Sequence, residues 1–232
     1  MALIVRIDVD RPYGRNPVAR HVLSRLRSDL YFPRLEALGY LRELAVVLEV
    51  LNRLKARAYV FFRRCTLPSS CILRLIASGK HEIGLHLENS RSYTSFIGEK
   101  RTLERHIGRP VSALSKHGSG ELRAGLRHYP PYQPDLYVQW ARRSEMTLLL
   151  GNLEDPSLDP VQDVAGFRFY PAAFWLEPSW RNTEKFTVDW LRGRAASRDV
   201  ALLVHPENIL ADAALFAEFE GLVHSLETRI FE

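Results

Sequence analysis

Residues 79–90 read GKHEIGLHLENS. Gly79 closes a helical pattern that starts near Pro68, as a glycine just past the last turn does. Glu82 to His86 then form a short run with the length and composition of a buried strand. His81 stands at the start of that strand and His86 at its end. The two histidines therefore belong to opposite ends of a sheet, and only His86 shares its end with an acid, Glu88. A helix leading into a strand whose carboxyl end is polar is the repeating unit of a parallel α/β fold. In such folds ligands bind at the carboxyl ends of the strands.

The same unit recurs on both sides. Toward the amino terminus, Ala58 to Phe62 is a second strand. Leucines at 35, 38, 41, 44, 48, 51 and 54, with Pro33 at a first turn, predict one long amphipathic helix. Ala2 to Val9 is a strand that runs into Asp8 and Asp10. Toward the carboxyl terminus, Ser95 to His106 reads as a helix, Val111 to Ser115 as a strand and 118–134 as a loop. Leu136 to Arg143 is a helix, and Thr147 to Leu150 and Phe167 to Tyr170 are strands. Pro171 to Asn182 carries Phe174, Trp175 and Trp180 between prolines and reads as an aromatic loop. Thr187 to Ala196 is a helix, Val200 to Val204 a strand ending at His205, and Asp212 caps a last helix to about Thr228. Strands alternating with helices imply a parallel sheet or barrel. With no repeat and no long linker, residues 1–232 are expected to form one domain.

Composition narrows the function class. The chain is 46% hydrophobic and 25% charged, ordinary for a globular protein that buries a core without staples. The net charge of +5 comes from scattered arginine, a solvated basic surface or a weak pull on anionic partners. No aromatic-plus-basic nucleic-acid module is visible, so no nucleic acid is expected. No run reaches the ~18 apolar residues of a membrane span, so no stable membrane insertion is expected. Met1 to Val5 lacks a basic start and a cleavage site, which predicts a cytoplasmic protein. Cys65 and Cys71 fit no zinc or redox spacing and are expected to be free thiols.

Four polar clusters follow strands. Asp8 and Asp10 lie two apart and so on one side of a strand, where they repel unless a cation or a shared proton intervenes. The alternative is a pair of solvated loop acids. His86 offers an imidazole suited to zinc-like ions, with Glu88 beside it. His117-Gly118 follows the fourth strand, and His205-Pro206 the last; histidine is the commonest general acid or base. His21, His106, His128 and His224 read as structural or surface residues.

At these places the chain resembles the polysaccharide-deacetylase-like superfamily, also called NodB-homology or carbohydrate esterase family 4. The specific pieces are residues 79–86, the acidic end of the first strand, Phe61-Phe62 and the LLVHP at 202–206. The D-V-D start, the E-I-G-x-H-x-E stretch and the H-G pair are most similar to a branch associated with O-antigen and other surface-glycan synthesis. The resemblance implies a distorted seven-stranded (β/α) barrel. It implies a hydrolase that uses a divalent metal, zinc before cobalt or nickel, to deacetylate an N-acetylated sugar or glycan precursor. Asp8 then resembles the catalytic base, Asp10 and His86 metal ligands, and His205 the acid that protonates the leaving amine. The chain departs from the family at Ser90, where a second metal histidine is usual. Either His117, preferred because it comes from a separate strand end, or Glu88 takes that place, Glu88 otherwise binding substrate. Tyr170, Trp175 and Trp180 stack on sugar faces or belong to the core.

Overall fold

The computed structural model describes residues 1–15, 17–121 and 125–231. Nine strands make one sheet: β1 (Leu3–Val9), β2 (Ala58–Phe62), β3 (Glu82–Leu87), β4 (Ala113–Lys116), β5 (Leu148–Leu153), β6 (Val161–Gln162), β7 (Arg168–Ala172), β8 (Phe174–Trp175) and β9 (Val200–Val204). Their order is β6-β7-β5-β4-β3-β2-β1-β9-β8. Every pairing is parallel except that of the two-residue β6 with β7. The helices are α1 (Val18–Leu30), α2 (Arg42–Leu54), α3 (Ser70–Ser78), α4 (Tyr93–Ile107), α5 (Pro134–Arg143), α6 (Val188–Ser197), the single-turn α7 (Pro206–Ile209) and α8 (Ala213–Ser225).

Connectivity closes the sheet. β7 lies beside β5 near one edge and β8 beside β9 at the other, yet only Ala173 separates β7 from β8 in sequence. One residue of backbone cannot cross a flat sheet, because it reaches at most about 3.6 Å. The sheet therefore curls until its edges meet, and β7–β8 serves as one broken stave between β5 and β9. Counted this way the barrel has the seven staves implied by the sequence resemblance, with β6 as a short appendage.

Side-chain parity then divides the core in two, because successive residues of a strand point to opposite faces. Leu3, Val5, Ile7 and Val9 of β1 face outward and pack with α2 residues such as Leu44, Leu48 and Leu51. Ile4, Tyr59, Phe61, Ala113, Leu148, Leu150 and Leu203 face inward and fill the barrel. The polar residues at the strand ends carry the inward parity: Arg6, Asp8 and Asp10; Arg63; His86 and Glu88; Ser115 and His117; Asn152; His205. A parity rule readable in the sequence thus decides which groups can meet inside the mouth.

The structure departs from the sequence reading at two helices, and the segment expected to be an aromatic loop carries the end of β7 and all of β8. The leucine-rich segment is not one helix from Pro33. A short 3-10 turn at Glu36–Leu38 ends at Gly39 (φ 79°), Leu41 is also left-handed, and α2 starts only at Arg42. Pro33 precedes both elements. Helix α1 went unforeseen, since Val18, Val22, Leu26 and Leu30 lie on its solvent side and only Leu23 of its large apolar residues packs against the core. Among the described residues no helix is long and apolar enough to cross a membrane.

Candidate active site

The carboxyl ends of β1, β2, β3, β4, β5 and β9 open into a cavity of about 640 Å3 lined by Asp8, Asp10, His86, His117 and His205, among others. His86 Nε2 lies 3.5 Å from Asp8 Oδ2 and 3.1 Å from Asp10 Oδ1. His117 Nε2 is 3.5 Å from the same Asp10 oxygen, and His205 Nε2 is 3.7 Å from Asp10 Oδ2. The structure thus brings the five predicted residues to one point. His81 sits at the other end, where its ring accepts from the Ala58 amide and meets Asn52 Oδ1 at 2.8 Å.

Asp8 is buried and held by Arg6, two residues earlier on the same strand. Arg6 Nε and Nη2 donate to the two Asp8 oxygens at 2.9 and 2.6 Å. The remaining donors of the guanidinium reach across the barrel to the carbonyls of Leu150 and Gly151 and to Asn152 Oδ1. All five N–H groups of this fully buried arginine are engaged, the condition on which a buried charge is tolerated. Asn152 in turn donates to the carbonyls of Lys116 and Gly118. One polar chain therefore runs from Asp8 through Arg6 and Asn152 to the backbone on both sides of His117. Gly118, left-handed at φ 76°, turns the chain away after it.

His86 is oriented by Ser115, whose Oγ is 2.7 Å from Nδ1, leaving Nε2 toward the two aspartates. His117 meets His86 edge to face, with ring centroids 5.4 Å apart, and makes a second edge-to-face contact with buried His128. Burial, then the Arg63 guanidinium, hold the His117 pKa well below the usual histidine range, so its imidazole is neutral. Asp10 feels opposing effects. Burial raises its pKa, but the electrostatic influence of the neighbouring His117 and then His86 rings outweighs it, and the group titrates well below an ordinary carboxylate. Among the described residues, no donor is well aligned on its buried Oδ1, although both imidazoles lie within 3.5 Å of it.

His205 is differently supported. Glu177 Oε1 lies 2.8 Å from its Nδ1 and also accepts its backbone N–H at 3.0 Å. Burial opposes a charge on the ring, but Glu177, then Asp10 and Asp8, push its pKa up to about 10. At neutral pH His205 carries a proton. Trp175 stacks 5.8 Å from His205 and 5.9 Å from Trp180, so both tryptophans form a wall of the cavity.

Other expectations are corrected. Tyr170 points into the barrel but toward its amino end, where it stacks on Phe231; it does not line the cavity. Glu88 also lies outside the cavity lining, because its carboxylate is buried against the Arg63 guanidinium. Arg63 further donates to the Asp10 carbonyl at 2.7 Å, fixing the turn that carries Asp10. Ser90 is spent structurally: its hydroxyl donates to the Tyr129 carbonyl and accepts from Tyr137. Of the two candidates to replace the absent histidine, His117 lines the cavity and Glu88 does not.

Several contributors escaped the sequence reading. Arg6 has the parity of Asp8 and could have been found by that signal. Glu177 lies 28 residues from its partner and carried none. Glu207 lines the cavity beside Arg11; burial, then Asp10, push its pKa up to about 7. His21, read as surface or structural, lines the mouth together with Arg11, Arg15 and Arg25.

A cation fits the polarity of this centre in part. Tetrahedral zinc with ligand bonds of about 2.0–2.1 Å separates its ligand atoms by about 3.3 Å, close to the 3.1 and 3.5 Å between Asp10 Oδ1 and the two imidazoles. Among the described residues, however, no three His, Cys, Asp or Glu side chains are arranged to hold an ion outright. The pairs are at ligand spacing, but the triad is not closed.

No family model and no curated protein matches the sequence. Solved structures do match. A Puue allantoinase aligns with a TM-score of 0.58 at 12% identity, over 96% of this chain and 82% of that one. A probable polysaccharide deacetylase from Pseudomonas aeruginosa PAO1 aligns at 0.53 and 15% identity, over 96% and 83%. A carbohydrate esterase family 4 pseudoenzyme from Bacillus anthracis aligns at 0.47 and 12%, and there the chain spans only 62% of the other's length. At such identities the likeness speaks for architecture, and with the seven-staved closure it establishes that this chain carries the polysaccharide-deacetylase-like fold.

Proposed function

We propose that the chain is a metal-dependent hydrolase that removes the acetyl group of an N-acetylated sugar or glycan precursor in surface-glycan synthesis, including that of O-antigen. On this reading residues 1–232 form one catalytic domain working in the cytoplasm, a setting that fits the free thiols of Cys65 and Cys71. The supporting observation is the meeting of Asp8, Asp10, His86, His117 and His205 at one barrel mouth. Asp10, His86 and His117 would hold a divalent ion, zinc before cobalt or nickel. Carboxylate and neutral imidazole are donors zinc takes, Ser115 already braces His86 as an outer-shell partner does, and among the described residues no donor is well aligned on Asp10 Oδ1. When bound, such an ion acidifies water and polarises the amide carbonyl.

The remaining work falls to side chains. Asp8 takes the proton of the attacking water, with Arg6 fixing both its oxygens so that only their outer lone pairs face the mouth. Hydroxide adds to the acyl carbon and the C–N bond breaks. His205 gives its proton to the departing nitrogen, which would otherwise leave as an amine anion, and acetate and amine are the products. Trp175 and Trp180 offer a flat apolar wall against which a sugar face packs. A cation on Asp10 would cancel part of the support for the His205 charge, leaving Glu177 as its main source.

A second reading is a carbohydrate-binding module without metal. It is favoured by the unclosed triad and by Ser90. The test is acetate release from a panel of N-acetyl sugars with zinc, cobalt or nickel supplied. The hydrolase reading expects turnover that Asp8→Asn lowers by roughly 10²- to 10⁴-fold, the usual worth of a general base. Binding of the sugars with no acetate from any of them would favour the module.

A further inference from the structure

We propose that α1 is a peripheral docking helix that seats the cavity mouth on an anionic lipid surface. The helix has two working faces. His21, Ser24, Arg25 and Ser28 line the cavity. Val18, Val22, Leu26 and Leu30, spaced by four and so neighbours along one side, face solvent with 77, 50, 41 and 65% of their surface exposed. Leu126, 57% exposed, extends the stripe: its amide donates to Asp29 of α1 at 3.0 Å. A contiguous apolar stripe of this kind on a water-facing helix marks an interaction site.

The charge around the stripe selects the occupant. Exposed Arg15 and Arg25 flank the stripe on the cavity side. Beyond its far end, exposed Arg64 and Arg127 both lie over the Tyr31 ring, at 4.5 and 4.6 Å. Exposed Arg91 lies over Tyr129. The nearest acid on the helix, Asp29, is paired with Arg25 at 3.0 Å and mostly buried. An apolar face edged by arginine is the pattern of helices that lie in the plane of a bilayer interface, held by apolar burial and by anionic headgroups. It is peripheral attachment: among the described residues no helix is long and apolar enough to cross a membrane. Because α1 forms both the stripe and one cavity wall, docking would turn the mouth toward the lipid.

The proposal needs no turnover, so its test is separate from that of the hydrolase. The full chain is sedimented at low salt with phosphatidylcholine vesicles and with vesicles containing equal phosphatidylglycerol. The expected result is strong pelleting with the anionic vesicles only, weakened by added salt. Val22→Asp with Leu26→Asp should lower partitioning at least about tenfold, and Arg15→Gln or Arg64→Gln about fivefold each. Unchanged circular dichroism shows that the exposed variants fold; if the aspartate pair does not, Leu26→Ser gives the same readout. Absence of pelleting with anionic vesicles, or equal pelleting of parent and folded variants, overturns the proposal. So does a dimer in sedimentation velocity that Leu26→Asp dissolves, which would assign the stripe to a second copy.

Discussion

Asp8 and Arg6 show how much of the site rests on one buried ion pair. Both side chains are withdrawn from water, so each is tolerable only with the other in place. Arg6→Leu leaves a buried carboxylate uncompensated and takes the guanidinium donor from two carbonyls, and should cost about 3–5 kcal/mol in urea denaturation. Adding Asp8→Asn removes the stranded charge but not the carbonyl deficit, so the double variant should recover only part of that loss. Additive losses would show that the pair does not couple.

Glu177 makes the second residue-scale prediction. The His205 pKa is raised above its unfolded value near 6.5, so the pair stabilises the fold fully below that pH and loses its contribution as pH rises through about 10. Glu177→Gln should therefore destabilise the metal-free protein most near pH 6, by an amount on the order of a few kcal/mol, with the gap narrowing toward pH 10. A gap independent of pH would contradict the assignment. Asp8, Asp10, His86, His117 and His205 were legible in the sequence because each follows a recognisable apolar strand. Glu177 was hidden because it sits in an irregular aromatic segment, and only tertiary closure of β8 onto β9 brings it to His205.

Among the elements, strands were more legible than helices. Buried strands such as β2 and β9 are short, continuous apolar runs that water cannot share, so their sequence has few alternatives. Helix α1 was missed for the converse reason: its buried residues are Ser24, Arg27 and Ser28, and four of its five large apolar residues face out, inverting the usual pattern. The leucine spacing through residues 35–54 continued across Gly39, whose left-handed conformation ends the 3-10 turn whatever the side-chain pattern says. Two glycines give opposite tests at this scale. A Cβ on Gly98, inside α4, would meet nothing within 4 Å, so Gly98→Ala should stabilise by about 1 kcal/mol through helix propensity. A Cβ on Gly151 of β5 would lie 2.2 Å from the Pro171 carbonyl oxygen of β7, where the register of the two strands shifts between Leu150 and Leu153. Gly151→Ala should cost about 1–3 kcal/mol, the range for overpacking. Thermal melts of the two variants should move in opposite directions; a shift of the same sign would mean that this edge of the barrel relaxes freely.

For the whole molecule, the parallel α/β class followed from alternation alone, but closure did not. It depends on a single residue, Ala173, joining strands at opposite edges, and nothing in the local sequence marks it. Closure is also what makes the site. It carries Arg6 across the interior to β5, brings Glu177 under His205, and sets His117 against His86 where a flat sheet would leave them on one open face. The third-ligand question was open in sequence for the same reason, since Ser90, Glu88 and His117 all follow strands and only packing shows two of them occupied elsewhere. On the proposed reading His117 stands in for the histidine that Ser90 is not. Equilibrium dialysis against zinc, with bound metal counted by plasma mass spectrometry, tests that substitution directly. The parent and Ser90→Ala should each hold about one ion per chain, the complement of a single site, while His86→Ala and His117→Ala hold far less with unchanged circular dichroism. A parent that binds no zinc, or a His117→Ala variant that binds it as well as the parent, would contradict the account.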